Sequence, residues 1–197
     1  MTQVSMSRLV AGAQRGQLVS FPTDTVPALA VQPDCSELIF TAKKRSYEKP
    51  LILMGAFPQA LWSFVKGTDG ELEIWQHVAQ KYWPGALTLV LPASAKVPAA
   101  MNPTDPTTIG LRVPDSKIAI AILSLTGPLA TTSANHSGEP ALQTLAEIEA
   151  HFPDVLTLHP TELEGFNSVT MGVPSTVVKW TGTGWEVLRQ GGLNFEF

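Results

Sequence analysis

Apolar positions along this chain alternate between helical and strand spacing. Met6, Leu9, Val10 and Ala13 share one face within residues 2–15, and Gly16 follows as a helix stop. Leu18–Phe21 is a short apolar run ending at Pro22, read as a strand that enters the hydroxyl-rich loop Thr23-Asp24-Thr25-Val26-Pro27. Asp34-Cys35-Ser36-Glu37 has capping-box spacing and opens a helix reaching Ala42, with Leu51–Met54 as the next strand. Two helices are then expected. One runs from Pro58 to Gly67, and one from the Thr68-Asp69-Gly70-Glu71 box through Leu72, Trp75, Val78, Ala79 and Tyr82.

Trp83-Pro84-Gly85 turns the chain into the apolar strand Ala86–Leu91, and residues 92–106, with four prolines, show no regular pattern. Thr108–Val113 is a strand carrying Arg112, and Lys117–Leu125 is an apolar helix stopped by Gly127-Pro128. Leu129–Thr132 is a strand emptying into the polar loop Ser133–Gly138. Thr144–Glu147 caps one more helix, Val155–Leu158 extends, and residues 160–173 form a loop. Ser175–Trp180 and Trp185–Arg189 flank Thr181-Gly182-Thr183-Gly184 as a hairpin. This alternation, with no internal repeat or convincing linker, predicts one α/β domain over residues 1–197, built on a mixed sheet flanked by helices.

Composition narrows the class. Of 197 residues, 44% are hydrophobic and 15% charged, which excludes a disordered chain. A net charge of −4 argues against wrapping long nucleic acid in a general positive field. The single cysteine, Cys35, excludes an internal disulfide and a cysteine-based metal cluster, and reads as a small, partly buried residue. The N-terminus lacks signal-peptide character and no apolar run approaches the ~20 residues that span a bilayer, so a soluble, cytoplasmic protein is expected.

Against the acidic background, Lys43, Lys44, Arg45 and Lys49 place four of thirteen Lys and Arg residues within seven positions, between a helix and a strand. A helix C-terminus attracts cations in any case, but cations at such a connection also suit phosphate oxygens. The chain has no Walker A sequence, no G-x-G-x-x-G, no H-E-x-x-H and no G-x-S-x-G. Its four histidines lack metal-ligand spacing, and His136, within the polar 133–138 loop, is read as structural.

What remains is hydroxyls and cations at strand ends: Thr23 and Thr25, then Lys43, Arg45 and Lys49, Arg112, the Ser133–Asn135–Ser137 group, Ser175 and Arg189. Singly each suits a turn or cap. Their recurrence suits a small polyanion, held outside the carboxyl ends of strands and activated by positioning and charge neutralisation.

In order along the chain, seven segments resemble the YrdC-like threonylcarbamoyl-AMP synthases. They are Phe21–Val26, Lys43-Lys44-Arg45 with Lys49-Pro50-Leu51, Trp83–Leu89, Leu111–Pro114, Thr132–Gly138, Pro174–Val178 and Leu188–Gly191, covering roughly residues 5–192. The resemblance implies a YrdC/RibB-type fold whose twisted sheet borders a concave, positively lined cleft, with no further C-terminal domain expected. It implies nucleotidyl transfer, in which L-threonine, bicarbonate and ATP give threonylcarbamoyl-AMP and pyrophosphate, with Mg²⁺ carried by ATP. Partner proteins would then modify adenosine in tRNA.

By the same resemblance, Lys43, Arg45 and Lys49 meet the ATP phosphates, and Ser133, Asn135 and Arg189 contact the nucleotide. Thr23, Thr25, Arg112 and Ser175 hold threonine. Pro27-Ala28 stand where that family usually has Tyr-Gly, which removes an aromatic wall and one backbone N–H. Lys179 stands where aspartate is usual, and Met54 where some relatives carry histidine. The alternative function is a paralogue that binds double-stranded RNA or nucleotide in the cleft without synthase turnover.

Overall fold

The computed structural model describes residues 2–166 and 171–197. Ten strands form one sheet: β1 (Gln3–Val4), β2 (Val19–Phe21), β3 (Ala28–Val31), β4 (Ile52–Met54), β5 (Leu87–Pro92), β6 (Thr108–Arg112), β7 (Leu129–Ser133), β8 (Leu156–Leu158), β9 (Thr176–Trp180) and β10 (Trp185–Arg189). Their spatial order is β1-β8-β2-β3-β7-β4-β6-β5-β9-β10. The β1–β8, β2–β8, β4–β6 and β5–β9 pairs are parallel and the rest antiparallel, so the sheet is mixed, as the alternating pattern predicts.

Five helices cover it: α1 (Met6–Gln14), α2 (Glu37–Lys43), α3 (Asp69–Tyr82), α4 (Lys117–Thr126) and α5 (Leu145–His151). Leu87, Leu89, Leu91, Ile109, Leu111 and Val178 point to one face, where they pack with Trp75, Val78, Ile39 and Ile148 from α3, α2 and α5. On the other face α1 and α4 cover the β2–β3 side through Leu9, Ala13, Ile118 and Ile122. Among the described residues no helix lies over β6, β5, β9 and β10 on that face. The strand period of two therefore presents Thr88, Val90, Thr108, Gly110, Arg112, Val177 and Lys179 to an open hollow.

The capping boxes at Thr68 and Thr144 both form, each with reciprocal bonds to Glu71 and Glu147. The box expected at Asp34 does not. Pro33 starts a 3₁₀ turn over Pro33–Cys35, so Ser36 is already helical (φ −56°, ψ −26°) and its side chain makes no capping bond. A cap needs extended backbone at that position.

The helix expected from Pro58 to Gly67 is instead two 3₁₀ turns, Pro58–Ala60 and Trp62–Phe64. Ser94 N–H donates to Phe64 O at 2.9 Å and Lys66 N–H to Pro92 O at 3.0 Å. These bonds hold Val65 extended against Ala93 and leave no room for a continuous helix. The short strands β1 and β3 were not expected from the sequence pattern.

Candidate functional site

The hollow is a cleft of about 760 Å³, within the range of small-molecule sites. Its floor is the bare sheet face. In register across it run Thr131, Ile52, Gly110, Val90 and Lys179, with Met54 paired to Arg112 and Thr88 to Val177 beside them. Gly110 keeps the floor low: a Cβ there would lie 3.3 Å from Thr88 Cγ2 and 3.5 Å from Ile52 Cγ1. Four connections form the walls: residues 23–27 after β2, residues 44–51 after α2, residues 102–105 before β6, and residues 174–175 before β9.

One wall is cationic. Lys44 ends α2 in the left-handed conformation (φ 49°) and turns the chain so that Arg45 and Lys49 line the cleft. Arg45 Nε donates to Lys49 O at 3.0 Å and Nη2 to Pro50 O at 3.1 Å. From β10, Arg189 donates to Ser175 O through Nε (3.2 Å) and Nη2 (2.8 Å). A register shift between Val187 and Arg189 accompanies Leu188 and Arg189 both lining the cleft, where regular alternation would separate them.

Gly191 follows because a Cβ at that position would meet Pro174 O at 2.2 Å and the Ser175 carbonyl carbon at 2.4 Å. Burial and then the neighbouring Arg189 charge lower the Arg45 pKa below its ordinary value, although a guanidinium keeps its proton. Among the described residues the single salt bridge is Arg112–Asp24, so Arg45, Lys49 and Arg189 have no carboxylate within salt-bridge range.

The opposite end is polar and internally neutralised. Arg112, 4% exposed, donates through Nη2 to Asp24 Oδ1 (2.6 Å), through Nη1 to Thr25 Oγ1 (2.8 Å) and through Nε to Gly85 O (3.2 Å). Burial lowers the Arg112 pKa, and Asp24 opposes that shift. Thr23 Oγ1 gives its proton to Val26 O at 2.7 Å, so the 3.1 Å contact with Thr25 Oγ1 is one in which Thr25 donates. Ser175 Oγ and Thr88 Oγ1 lie 2.9 Å apart. Pro27 does not derail this loop. Its carbonyl accepts from Ala134 N–H at 2.9 Å, and Ala28 pairs with Phe21 and Ser133 in the sheet.

The structure thus brings Thr23, Thr25, Arg45, Lys49, Arg112, Ser133, Ser175 and Arg189 to one cleft. Lys43 and Asn135 are the corrections. Lys43 is fully buried, and its ammonium donates to Ser133 O, to Asn135 O (2.5 Å) and to Asn135 Oδ1 (3.2 Å). Three protons meet three acceptors, which leaves none for a phosphate. Burial, reinforced by Arg45 and Lys49, lowers its pKa to about 7.

Asn135 is saturated as well. Its Oδ1 also accepts from Ser133 Oγ (2.5 Å), and its Nδ2 donates to His136 O (2.8 Å) and Glu139 O (2.6 Å). Both residues brace the 133–138 loop from behind and do not line the cleft. His136 packs its ring on Phe152 (5.0 Å between centroids) and His151 (5.7 Å), also off the cleft lining.

Sequence reasoning left out Asp24, Thr88, Asn102, Asp105, Thr108 and Gly110. The alternation Leu87–Leu89–Leu91 would have put Thr88 on the face opposite the core. Asn102 and Asp105 come from the irregular 92–106 segment, which has no periodic signal. Among the described residues no group of three or more His, Cys, Asp or Glu side chains could hold a metal ion, and no helix is long and apolar enough to cross a membrane.

Comparison with known proteins agrees with the geometry. The Sua5_yciO_yrdC family, described as "Telomere recombination", matches residues 12–191. Threonylcarbamoyl-AMP synthase of Pyrococcus abyssi is 35% identical over 194 residues, covering 96% of this chain and 55% of that protein. The Bacillus subtilis protein of the same name is 32% identical over 203 residues, covering 97% and 54%. The crystal structure of P. abyssi Sua5 complexed with L-threonine matches with a TM-score of 0.82 at 32% identity, over 95% of this chain and 54% of that one. The chain spans about half the length of these relatives. It belongs to the Sua5/YciO/YrdC family.

Proposed function

We propose that this chain makes threonylcarbamoyl-AMP from L-threonine, bicarbonate and ATP, releasing pyrophosphate. The observation that carries the reading is one cleft in which Arg45, Lys49 and Arg189 form no salt bridge among the described residues, although Glu48 also lines it, beside a hydroxyl-rich end where Arg112 is paired with Asp24. Arg112, Thr23, Thr25 and Ser175 take threonine, with the Arg112 edge and the ordered hydroxyls meeting its carboxylate and alcohol. Arg45, Lys49 and Arg189 take the phosphates, and Ser133 contacts the nucleotide.

Threonine's free amine joins bicarbonate with loss of water, giving a carbamate. A carbamate oxygen then bonds the α-phosphorus as the bond to the β-phosphate oxygen breaks and pyrophosphate leaves. The residues act by orienting the attack and by stabilising charge on the phosphate oxygens. Mg²⁺ would come with the ATP phosphates and neutralise part of their charge, since among the described residues no cluster of His, Cys, Asp or Glu side chains could hold a metal ion. The product would pass to proteins that modify adenosine in tRNA.

The test is pyrophosphate release by the purified chain. Release that requires both threonine and bicarbonate is expected. ATP turnover indifferent to threonine, or RNA retention with no turnover at all, overturns the reading.

A further inference from the structure

Lys179 is a cation that the cleft's threonine-side and phosphate-wall assignments do not use. It sits on β9, half-buried, paired in register with Val90 on β5 and Glu186 on β10. Like Val177 it points away from the Val178–Trp180 core side and lines the cleft floor. Among the described residues its ammonium has no salt-bridge partner. The carboxylate that feels it is Asp105, also on the cleft, whose pKa lies below the usual range chiefly through the Thr107 hydroxyl bond, with Lys179 adding a small pull. Asp105 is already committed to Thr107 and Thr108. The geometry therefore leaves a positive group on the floor with room above it.

Val177 is the register partner of Arg189, and Lys179 stands two residues further along the same strand, about 6.6 Å at the usual rise. An α-phosphate bound at the solvent-facing edge of Arg189, whose other edge is held by Ser175 O, would direct the outer phosphates along β9 toward Lys179. Arg45 and Lys49 would reach those phosphates from the 44–51 connection. Resting on the reading of the cleft as a nucleoside-triphosphate site, we propose that Lys179 binds the outer phosphates of ATP and so distinguishes triphosphate from monophosphate. An ammonium contacting a dianionic phosphate is a charge-assisted bond.

Binding of MgATP, pyrophosphate and AMP to the wild-type chain and to Lys179→Met, Lys179→Arg and Lys179→Asp tests this by calorimetry, with unfolding curves confirming that each variant folds. Lys179→Met is expected to weaken MgATP and pyrophosphate about tenfold and leave AMP unchanged. Lys179→Asp should weaken them further and Lys179→Arg largely restore them. Equal losses for ATP and AMP, or no loss in either, overturn the inference while wild-type ATP binding keeps the cleft reading standing. A wild-type chain that binds none of the three ligands overturns both.

Discussion

The two ends of the cleft solve opposite electrostatic problems. At the hydroxyl end, Arg112 is buried against Asp24, Thr25 and Gly85 O, and its charge is cancelled before any ligand arrives. At the cationic end, Arg45 and Arg189 are held by backbone carbonyls, bonds that fix direction without cancelling charge. Burial first, and then the Arg189 charge, lowers the pKa of Arg45. The first arrangement stores stability in the folded chain and recognises shape. The second stores unrelieved repulsion that an anion relieves, so its affinity is electrostatic.

The largest effect that would break this contrast lies at Arg112. Arg112→Met should cost about 3–5 kcal/mol of folding stability, because it strands the Asp24 carboxylate in a buried site. Denaturant unfolding measures it. The pair Arg112→Met with Asp24→Leu should recover most of that stability yet still lack threonine-dependent pyrophosphate release. Recovery of stability together with activity would show that the pair is scaffold only.

Next in size is Gly191→Ala. The added carbon has no space against Pro174 O and Ser175, so the backbone carrying Arg189 must shift. A displacement near 1 Å costs on the order of 10²-fold in turnover. Steady-state kcat/KM should fall accordingly, with Arg189 still present. Unchanged kinetics would mean that the Arg189–Ser175 geometry is not used.

How much of this was legible before the structure depends on what each residue's neighbours could reveal. The apolar runs at Leu87–Leu91 and Thr108–Arg112 are a local property, and they located the strands, although the face that Thr88, Thr108 and Gly110 present was not read from them. The cationic run was visible too, but spacing cannot tell a cation that points into a cleft from one that packs under a loop. Lys43 and Arg45 are two residues apart and meet opposite fates because Lys43 lies on the last turn of α2, facing β7, whereas Arg45 follows the left-handed turn at Lys44. The Ala28–Val31 strand escaped notice because both of its faces are buried, so it shows no polar alternation. The Pro58 helix failed for a non-local reason, the tether to residues 92–94.

A smaller effect, of opposite sign at the two ends, sharpens the comparison. Arg45→Ala and Arg189→Ala should each weaken MgATP by roughly 10- to 100-fold and leave threonine binding intact. Removing either charge also relieves the repulsion between them, so the unliganded chain should unfold no more easily, and at most ~1 kcal/mol harder. Arg112→Met moves stability the other way. A melting curve with and without MgATP separates the cases, since only a chain that still binds ATP gains stability from it. Variants at Arg45 that lose several kcal/mol in the absence of ATP would place that residue in the scaffold and dissolve the contrast.

The mildest perturbation leaves every residue in place and changes only the salt. Exposed charges are screened over about 10 Å at 0.1 M ionic strength, and buried pairs much less. Arg189 and Lys49 stand exposed to solvent, while Arg112 and Asp24 do not. Raising salt from low to high should therefore weaken MgATP severalfold, weaken AMP less because it carries fewer charges, and barely change threonine. Arg45→Ala should flatten the ATP dependence, because one of the screened partners is gone. Calorimetric titrations at three salt concentrations provide these slopes. Parallel slopes for ATP and threonine would mean that both ligands are held by the same screened charges, and the division between a neutral end and a charged end would fail.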